Sequence, residues 1–283
     1  MSDPADTRRD PYLGTVVHVV GARQARPNLP STGCPFCPGG REAPEPYEVR
    51  WFPNRWPAML GDRCEVVLYT ARHDATFASL GVDGARKVVD LWAERTRELS
   101  LRDDVQFVLV FENRGAEVGA TIAHPHGQIY AYDHIPERPR RMLEADWAPD
   151  PHPGERLVAD RAGWIASVPH ASTYPVALSV APRERVPDLD ALDDAGRNGL
   201  AAMLVDMTAR LDRLYDRPLP YMMWINQRPA DGAEWPHAWL NIEIVSPWRA
   251  AGVPRFIAAA EVACGEYFNP VIPEVLAGQL RGL

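Results

Sequence analysis

Short runs of β-branched and aromatic residues alternate along the chain with long stretches that have apolar residues at helical spacing. Strands are predicted in "GTVVHVV", "YEVRWFP", "CEVVLYT" and "VQFVLVFENRG", because these runs are rich in Val, Tyr, Phe and Trp. A helix is predicted in "DGARKVVDLWAERTREL", with Asp83 placed to cap it. Another extended segment, "GATIAHPHGQIYAY", follows the strand that ends at Gly115.

The second half of the chain repeats this order of elements at a spacing of roughly 110–115 residues. "YPVALSVAPRERV" matches "CEVVLYTARHDAT", a long helical stretch follows, and "LPYMMWINQRP" matches "VQFVLVFENRG". In this alignment Asn241 takes the position of His126, and Glu243 takes that of Gln128. The pattern predicts a duplicated α+β unit in which the first copy holds the chemistry and the second is a scaffold or a substrate-binding half.

The composition is that of a globular protein, with 46% hydrophobic and 24% charged residues among 283. The net charge of −8 argues against broad nucleic-acid binding, which needs a basic face. The polar start "MSDPADTRRDPY" lacks the apolar core of a signal peptide, and no run approaches the ~18 apolar residues of a membrane helix. We therefore expect a cytoplasmic protein without nucleic-acid or membrane partners, whose proline-rich stretches, such as "HIPERP" and "WAPDPHPGE", are connections.

A Cys-x-x-Cys pair stands in the Pro- and Gly-rich loop "STGCPFCPGG". Cys34 and Cys37 there are typical of one half of a zinc site, and His73 and His124 are candidates for the other two ligands. A closed Cys₂His₂ set predicts a structural ion. The redox alternative for this motif needs a helix after the first cysteine, and "CPFCPGGREAPEP" is a poor helix start.

The segment "HPHGQ" places His124, His126 and Gln128 at alternate positions, which share one face of a strand. With His124 held by a metal, His126 is the candidate nucleophile, since neutral imidazole is nucleophilic near neutral pH. Gln128 is placed to donate its amide to a phosphoryl oxygen. The alternative is a pair of ordinary surface histidines.

Phosphate-binding candidates flank this motif. The spacing of Arg23 and Arg26 in "GARQARP" suits phosphate contact, and solvated surface charge is the alternative. The stretch "ENRGAEVGAT" adds a set of nucleotide-site candidates in which glycines let backbone amides approach an anion. These candidates are Asn113, Gly115, Gly119 and Thr121.

The segment "FENRGAEVGATIAHPHGQIYA" closely resembles the active-site segment of galactose-1-phosphate uridylyltransferases, a branch of the histidine-triad superfamily. The resemblance extends from "GARQARP" to "PEVLAGQLR" and includes the Cys-x-x-Cys pair and the histidine of "RHDATF". It implies two histidine-triad-like repeats, residues 1–145 and 155–283, that form an antiparallel sheet flanked by helices. It also implies a homodimer.

The resemblance further implies ping-pong transfer of UMP from UDP-glucose to a hexose 1-phosphate through a uridylyl-histidine. His126 then matches the nucleophile, and Gln128 matches the group that binds the phosphoryl oxygens. Cys34, Cys37, His73 and His124 match the zinc ligands. The positions that match substrate-contacting ones, in addition to the arginines and the "ENRGAEVGAT" set, are Asn54, Arg55, Arg255, Phe256 and Glu261.

Two departures from the family pattern bear on specificity and on metals. Arg55 stands where the family has a ribose-contacting Asp, and the small Ala258 and Ala260 replace bulkier residues in the sugar segment. Some family members hold a second metal in the second half with one Glu and three His. The matching positions are Asp160, Asn226, Asn241 and Glu243, and without a histidine we expect no metal there.

Three functional hypotheses follow. The first is a nucleotidyltransferase that acts on a UDP-sugar and a sugar 1-phosphate. The second keeps the histidine intermediate but uses phosphate or water as the acceptor, as a phosphorylase or hydrolase with UDP-, ADP- or GDP-sugars. The third is a zinc-stabilised nucleotide-binding protein without catalysis, in which replacing His126 would change only binding.

Overall fold

A nine-stranded antiparallel sheet is the central element of the structure, a computed structural model that describes residues 6–25 and 33–283. The described strands are β1 (Asp6–Arg9), β2 (Val16–Val19), β3 (Arg50–Pro53), β4 (Cys64–Leu68), β5 (Phe107–Arg114), β6 (His126–Tyr132), β7 (Leu157–Arg161), β8 (Trp164–Ser167), β9 (Val176–Pro182), β10 (Tyr221–Asn226), β11 (Asn241–Ser246), β12 (Trp248–Ala250) and β13 (Val253–Pro254). The nine strands from β3 to β11 form this sheet, whereas β1 pairs with β2 and β12 with β13. The helices are α1 (Gly81–Ser100), α2 (Glu137–Glu144), α3 (Asp194–Arg213), α4 (Ala259–Cys264) and α5 (Pro273–Arg281). Among the described residues, none of these helices has the length and apolarity needed to cross a membrane.

The strand order is mirrored about the centre of the sheet. It reads β3-β4-β6-β5 and then β10-β11-β9-β8-β7, so that β5 and β10 pair at the middle. Equivalent rows across the two halves are Val66–Gln128–Phe111 and Ser179–Glu243–Trp224. The α+β prediction is confirmed, and Glu243 occupies the position of Gln128 as the alignment predicts. The boundaries 1–145 and 155–283 stay a prediction, since one continuous sheet passes through both halves.

One face of this sheet is covered by α1 and α3, and the other face holds the polar side chains of the "HPHGQ" motif. Along β6 burial alternates, with Gly127, Ile129 and Ala131 buried and the residues between them only partly so. The period of two places His126 and Gln128 on the face away from the helices. Buried side chains such as Trp92 fill the helix side, where each large apolar residue contributes about 1.5–3 kcal/mol.

Two sequence predictions about helices are wrong. Asp83 does not cap α1, because the helix begins at Gly81 directly after a 3₁₀ turn and has no side-chain cap. Asp83 lies in the first turn, where its charge complements the helix dipole. The "HIPERP" stretch is not only a connection, since α2 begins at Glu137. Pro139 is tolerated there because a first-turn residue needs no amide hydrogen.

Candidate active site and metal centre

The four predicted metal ligands come together although they are distant in the sequence. Their ligand atoms all lie within 4.8 Å of one another. Cys37 Sγ lies 3.5 Å from His73 Nδ1 and 3.6 Å from His124 Nδ1, and Cys34 Sγ lies 3.8 Å from His124 Nδ1. A tetrahedral ion with Zn–S near 2.3 Å and Zn–N near 2.0 Å separates sulfur from nitrogen by about 3.6 Å. The described ligands therefore fit a tetrahedral metal.

Hydrogen bonding fixes the tautomer of His124. Its Nε2 lies 2.7 Å from the Thr70 carbonyl oxygen, so Nε2 carries the proton and donates it. The lone pair is then on Nδ1, the atom that faces both cysteine sulfurs. Burial lowers the pKa of His124, which favours the neutral form that binds metals. A histidine held through its second nitrogen is typical of metal sites.

The cysteine loop is folded tightly around its two sulfurs. Cys37 N donates to the Cys34 carbonyl, and Gly40 N donates to the Cys37 carbonyl at 2.7 Å. A Cβ on Gly40 would come within 2.7 Å of three carbonyl oxygens, so only glycine fits this turn. Burial and the neighbouring Cys34 sulfur raise the pKa of Cys37, an effect that a bound cation would offset. No helix follows Cys34 in this described segment, which disfavours the redox alternative.

His126 is the first residue of β6 and is oriented by the backbone beside it. Its Nδ1 lies 2.7 Å from the carbonyl oxygen of His124 and therefore donates a proton to it. In this tautomer the lone pair, and with it the nucleophilicity, is on Nε2. The ring of Phe36 meets the His126 ring edge-on at 5.0 Å. The metal ligand His124 and the candidate nucleophile are thus joined through one hydrogen bond.

A pocket of about 810 Å³ opens next to His126 and Gln128. Asn54 Nδ2 donates to Gln128 Oε1 at 3.2 Å, and the Trp56 amide in turn donates to Asn54 Oδ1 at 2.9 Å. Since Oε1 of Gln128 accepts, its Nε2 is the group that can donate to a ligand oxygen. The predicted residues that line this pocket are Cys34, Cys37, Asn54, Arg55, Thr121, His126 and Gln128.

The arginine candidates lie in different surroundings. Arg23 Nη1 lies 3.4 Å from the Tyr130 hydroxyl, which places it along β6 from Gln128. Arg55 lines the pocket and lies 3.4 Å from Glu42, a partly exposed ion pair at its rim. Arg26 lies outside the described residues.

The loop after β5 contributes Thr121 and Ile122 to the pocket lining, and Thr121 is the predicted one. Asn113 pairs with Met222 at the end of β5 and does not line the pocket. Gly115 has a φ of +97°, and a Cβ there would come 2.7 Å from Pro220. The amide of Gly119 already donates to Ala116 O at 3.0 Å. Both glycines shape this loop.

Arg255, Phe256 and Glu261 lie apart from the pocket. Arg255 is paired with Glu261, and its Nε donates to Phe268 O at 2.8 Å. Glu261 also accepts from the amide of Ala258 at 2.8 Å. Phe256 is 77% exposed. None of the three lines the pocket of His126.

Residues 58–136 match the family described as galactose-1-phosphate uridyl transferase, N-terminal domain, and residues 124–283 match its C-terminal domain. The chain belongs to the galactose-1-phosphate uridylyltransferase family. The galactose-1-phosphate uridylyltransferase of Streptomyces lividans is 38% identical and covers 98% of this chain and 86% of its own length. The enzyme of that name from Thermotoga maritima is 33% identical, with 98% of both chains covered.

A solved uridylyltransferase structure has the same fold. It superposes with a TM-score of 0.87 at 27% identity and covers 98% of this chain and 97% of its own. The predicted family, fold class and transferase class are therefore confirmed.

In the second half of the chain, the positions that match a second metal site of some family members are engaged in ion pairs and amide hydrogen bonds. Glu243 is paired with Arg138 at 2.7 Å, and Asn226 Nδ2 donates both to Asn241 Oδ1 and to Glu243 Oε1. Asp160 pairs with Arg183 instead. The expectation that no metal binds there stays a prediction.

Sequence reasoning missed two residues that shape the site. Tyr47 donates to the Phe36 carbonyl at 2.6 Å and lies 2.9 Å from His124 Nε2. Phe36 stands between the two cysteines, and that position could have indicated its role. Nothing in the local pattern around Tyr47 indicates that it reaches the metal centre.

Proposed function

We propose that this chain transfers UMP from UDP-glucose to a hexose 1-phosphate, galactose 1-phosphate or a related sugar, through a covalent uridylyl-histidine on His126. The observation that carries the proposal is the hydrogen bond from His126 Nδ1 to the His124 carbonyl, which directs the nucleophilic lone pair to Nε2. Family membership supports the same reaction, since the relatives from Streptomyces lividans and Thermotoga maritima are named for it.

In the first step, Nε2 attacks the α-phosphorus of UDP-glucose. A P–N bond forms as the bond between the α-phosphorus and the bridging oxygen breaks, and glucose 1-phosphate leaves with the electron pair. The positive charge on the imidazole is shared through Nδ1–H with the His124 carbonyl, 2.7 Å away. In the second step, a phosphate oxygen of the acceptor attacks the same phosphorus, the P–N bond breaks, and His126 returns to its neutral form.

The polar groups around the pocket bind and orient the substrate. Gln128 donates its amide to a phosphoryl oxygen and is held in that orientation by Asn54. Arg55 and Thr121 line the pocket, and Arg23 lies against Tyr130, two residues along β6 from Gln128. Arg26, Asn113, Gly115 and Gly119 complete the proposed substrate-binding set on the basis of the family resemblance alone.

The metal is proposed to be zinc, since two thiolates and two imidazoles in a closed tetrahedral set favour it. With four protein ligands, the ion would supply rigidity rather than reaction chemistry. His124, held as one of these ligands, would keep in place the carbonyl that orients His126. Thiolate ligands persist in a reducing compartment, which supports a cytoplasmic location.

A homodimer is proposed from the surface around α4 and α5. Large apolar side chains are exposed there: Phe256, Val262, Phe268, Ile272 and Val275. Clustered exposed apolar residues are typical of protein interfaces. The predicted hexose-contacting residues Arg255, Phe256 and Glu261 lie in this region and away from the pocket of their own chain. The side chains of Arg255 and Glu261 are buried and paired with each other, so Phe256 is the one of the three whose side chain is exposed toward a second copy.

The reaction is tested by incubating the protein with UDP-glucose and one acceptor at a time. The acceptors are galactose 1-phosphate, other hexose 1-phosphates, inorganic phosphate and water, with product analysis by chromatography. The expected products are a new UDP-hexose and glucose 1-phosphate. UDP formed only with phosphate, or UMP formed with water, would replace the proposal with a phosphorylase or a hydrolase. Parallel runs with ADP- and GDP-glucose test which nucleotide base is accepted by the pocket that Arg55 lines.

A further inference from the structure

A buried polar cluster lies under β6, on the side of the sheet opposite the pocket. Its members are Tyr69, Trp92, Glu112 and Tyr221, and we call this cluster the buried brace. Glu112 is 4% exposed and Tyr69 is 1% exposed, so neither can reach a substrate. The mechanism above uses none of the four. A carboxyl group buried in an apolar core is costly, and its position calls for a physical reason.

Tyr69 holds the backbone on both sides of His126. Its amide donates to the carbonyl of Pro125 at 3.3 Å. Its hydroxyl lies directly under Gly127, where a Cβ would come 2.1 Å from the Tyr69 oxygen and 2.9 Å from the Phe111 carbonyl. The residues immediately before and after His126 are therefore both in contact with Tyr69. Gly127 is the residue type that this close approach requires.

Glu112 lies next to Tyr69 in this cluster. Tyr221 donates its hydroxyl to Glu112 Oε1 at 2.9 Å, and the ring of Trp92 packs against Tyr69 at 5.7 Å between centroids. Burial raises the pKa of Glu112 to about 7, although Tyr221, Arg114 and Tyr69 oppose the shift. In its neutral form, Glu112 carries a carboxyl O–H that can act as a hydrogen-bond donor.

The other charged groups near Glu112 are already paired. Arg114 from β5 is occupied by Asp212 from α3, at 2.7 and 3.2 Å. The remaining buried polar atoms at this place are the Tyr69 hydroxyl, Trp92 Nε1 and Glu112 Oε2, none of which has a partner at hydrogen-bonding geometry among the described residues. A rearrangement that brings these three atoms into hydrogen bonds with one another would shift Tyr69. Because Tyr69 contacts the backbone on both sides of His126, the shift would also move β6.

We propose that Tyr69 and Glu112 are positioning residues for nucleotidyl transfer, which fix the backbone at Pro125 and Gly127 so that His126 Nε2 stays in line with the α-phosphorus. The inference rests on the proposed function of His126. It assigns a catalytic effect to two residues that touch neither substrate nor metal. A misplacement of about 1 Å at the nucleophile lowers a rate by about 10²-fold.

The test compares Tyr69→Phe, Glu112→Gln and Gly127→Ala with the wild-type protein. The readouts are the single-turnover rate of adduct formation from UDP-glucose, the Kd for UMP and the midpoint of thermal unfolding. We expect Tyr69→Phe and Glu112→Gln to slow adduct formation about tenfold, with the Kd for UMP within about twofold of wild type. Gly127→Ala is expected to slow it about 10²-fold, because its methyl group meets the Tyr69 hydroxyl.

The double variant Tyr69→Phe/Gly127→Ala is the sharpest measurement. Removing the hydroxyl gives the methyl group room, so the double variant should form adduct about tenfold faster than Gly127→Ala alone. The Phe111 carbonyl at 2.9 Å and the ring carbon Cζ of residue 69 at 3.0 Å remain close to the methyl group and limit the recovery. If each substitution lowered the rate of adduct formation independently, the two losses would combine and the double variant would be slower than Gly127→Ala. Tyr215→Phe removes a partly buried hydroxyl that is outside the brace and is the matched control, expected to react at the wild-type rate.

The outcomes separate the two proposals. If the wild-type protein forms no adduct, the proposed function fails. If the wild-type protein forms the adduct, and Tyr69→Phe and Glu112→Gln form it at the same rate, the proposed positioning role of the brace is overturned. A double variant slower than Gly127→Ala also overturns it. UMP affinity and the unfolding midpoint identify a variant that has not folded, and Tyr69→Phe, which removes a single oxygen, then still tests the brace.

Discussion

At the residue scale, the account depends on which nitrogen of each histidine carries a proton. The spacing of "HPHGQ" indicates that His126 and Gln128 share a face, and the Cys-x-x-Cys motif indicates a metal. The tautomers of His124 and His126 depend on the carbonyls of Thr70 and His124, whose positions follow from the folded backbone. Sequence spacing therefore identifies the candidate residues, but only the fold shows which ring nitrogen of each histidine carries the proton.

Gln128→Ala should slow transfer while leaving substrate affinity nearly unchanged. The amide of Gln128 acts on charge that develops at the phosphoryl oxygens, and removing one such donor costs about 10²–10³ in kcat. Asn54→Ala should have a smaller effect in the same direction, because it only releases Gln128. Steady-state kcat and KM for UDP-glucose check both. A rise in KM with kcat unchanged in Gln128→Ala would contradict the assignment.

Cys34→Ser and Cys37→Ser should lose the bound metal. Each removes one of four ligands from a closed set, and bound metal stabilises the folded state. We expect metal content to fall from about one ion per chain toward zero and the unfolding midpoint to fall by about 5–10 °C. Elemental analysis and calorimetry measure these. Cys264→Ser, at an exposed cysteine outside the set, is the control and should keep its metal.

At the element scale, most strands of the sheet and its two long helices follow from the residue pattern, but β7 and β8 were not predicted. The start of α1 does not follow from the pattern, because the preceding 3₁₀ turn decides it and Asp83 is left one turn inside. The start of α2 was not predicted, because Pro139 is typical of a turn in the sequence. A first helical turn nevertheless accepts proline, since its amide groups have no partner within the helix. The placement of Glu112 under β6 depends on strand register, which no local pattern gives.

Stability should depend on pH through Glu112. The unfolded chain ionises this group near pH 4.5, whereas burial raises the folded-state pKa to about 7. Between these values the folded state binds more protons, so the contribution of Glu112 to the free energy of unfolding is full at low pH and falls as the pH rises to about 7. The loss is on the order of 3 kcal/mol.

Denaturant unfolding at pH 4, 5, 6 and 8 measures this effect against Glu112→Gln. The variant has no ionisable group at this position, so the stability of the wild type relative to Glu112→Gln should decrease across the series. Parallel pH profiles for the two proteins would show that Glu112 keeps the same charge in both states, contrary to this account.

At the scale of the whole molecule, the internal repeat indicated a duplicated α+β unit, and the motif together with the cysteine pair indicated the family. The mirrored order of the strands comes from the structure alone. How copies of the chain associate was not available from periodicity. The exposed Phe256 and Val262 show where apolar surface remains, and that surface depends on how α4 and α5 pack.

The dimer proposal predicts that Phe256→Asp/Val262→Asp behaves as a monomer. A charge on each side chain opposes burial in an interface. Light scattering after size exclusion should give about twice the 31.5 kDa chain mass for the wild type and about one chain mass for the variant. Leu101→Asp changes an exposed apolar residue elsewhere and should stay dimeric. A wild type that elutes as a monomer would contradict the proposed surface.

The most direct test of the central claim is the intact mass of the protein after brief reaction with UDP-glucose and no acceptor. The quench must be neutral or basic, because the phosphorus–nitrogen bond of a modified histidine is acid-labile. The account predicts one added UMP per chain, absent in His126→Ala, and removed when galactose 1-phosphate is added to the modified protein. An unmodified wild-type mass while UMP still binds, or the same adduct in His126→Ala, would contradict covalent transfer through His126.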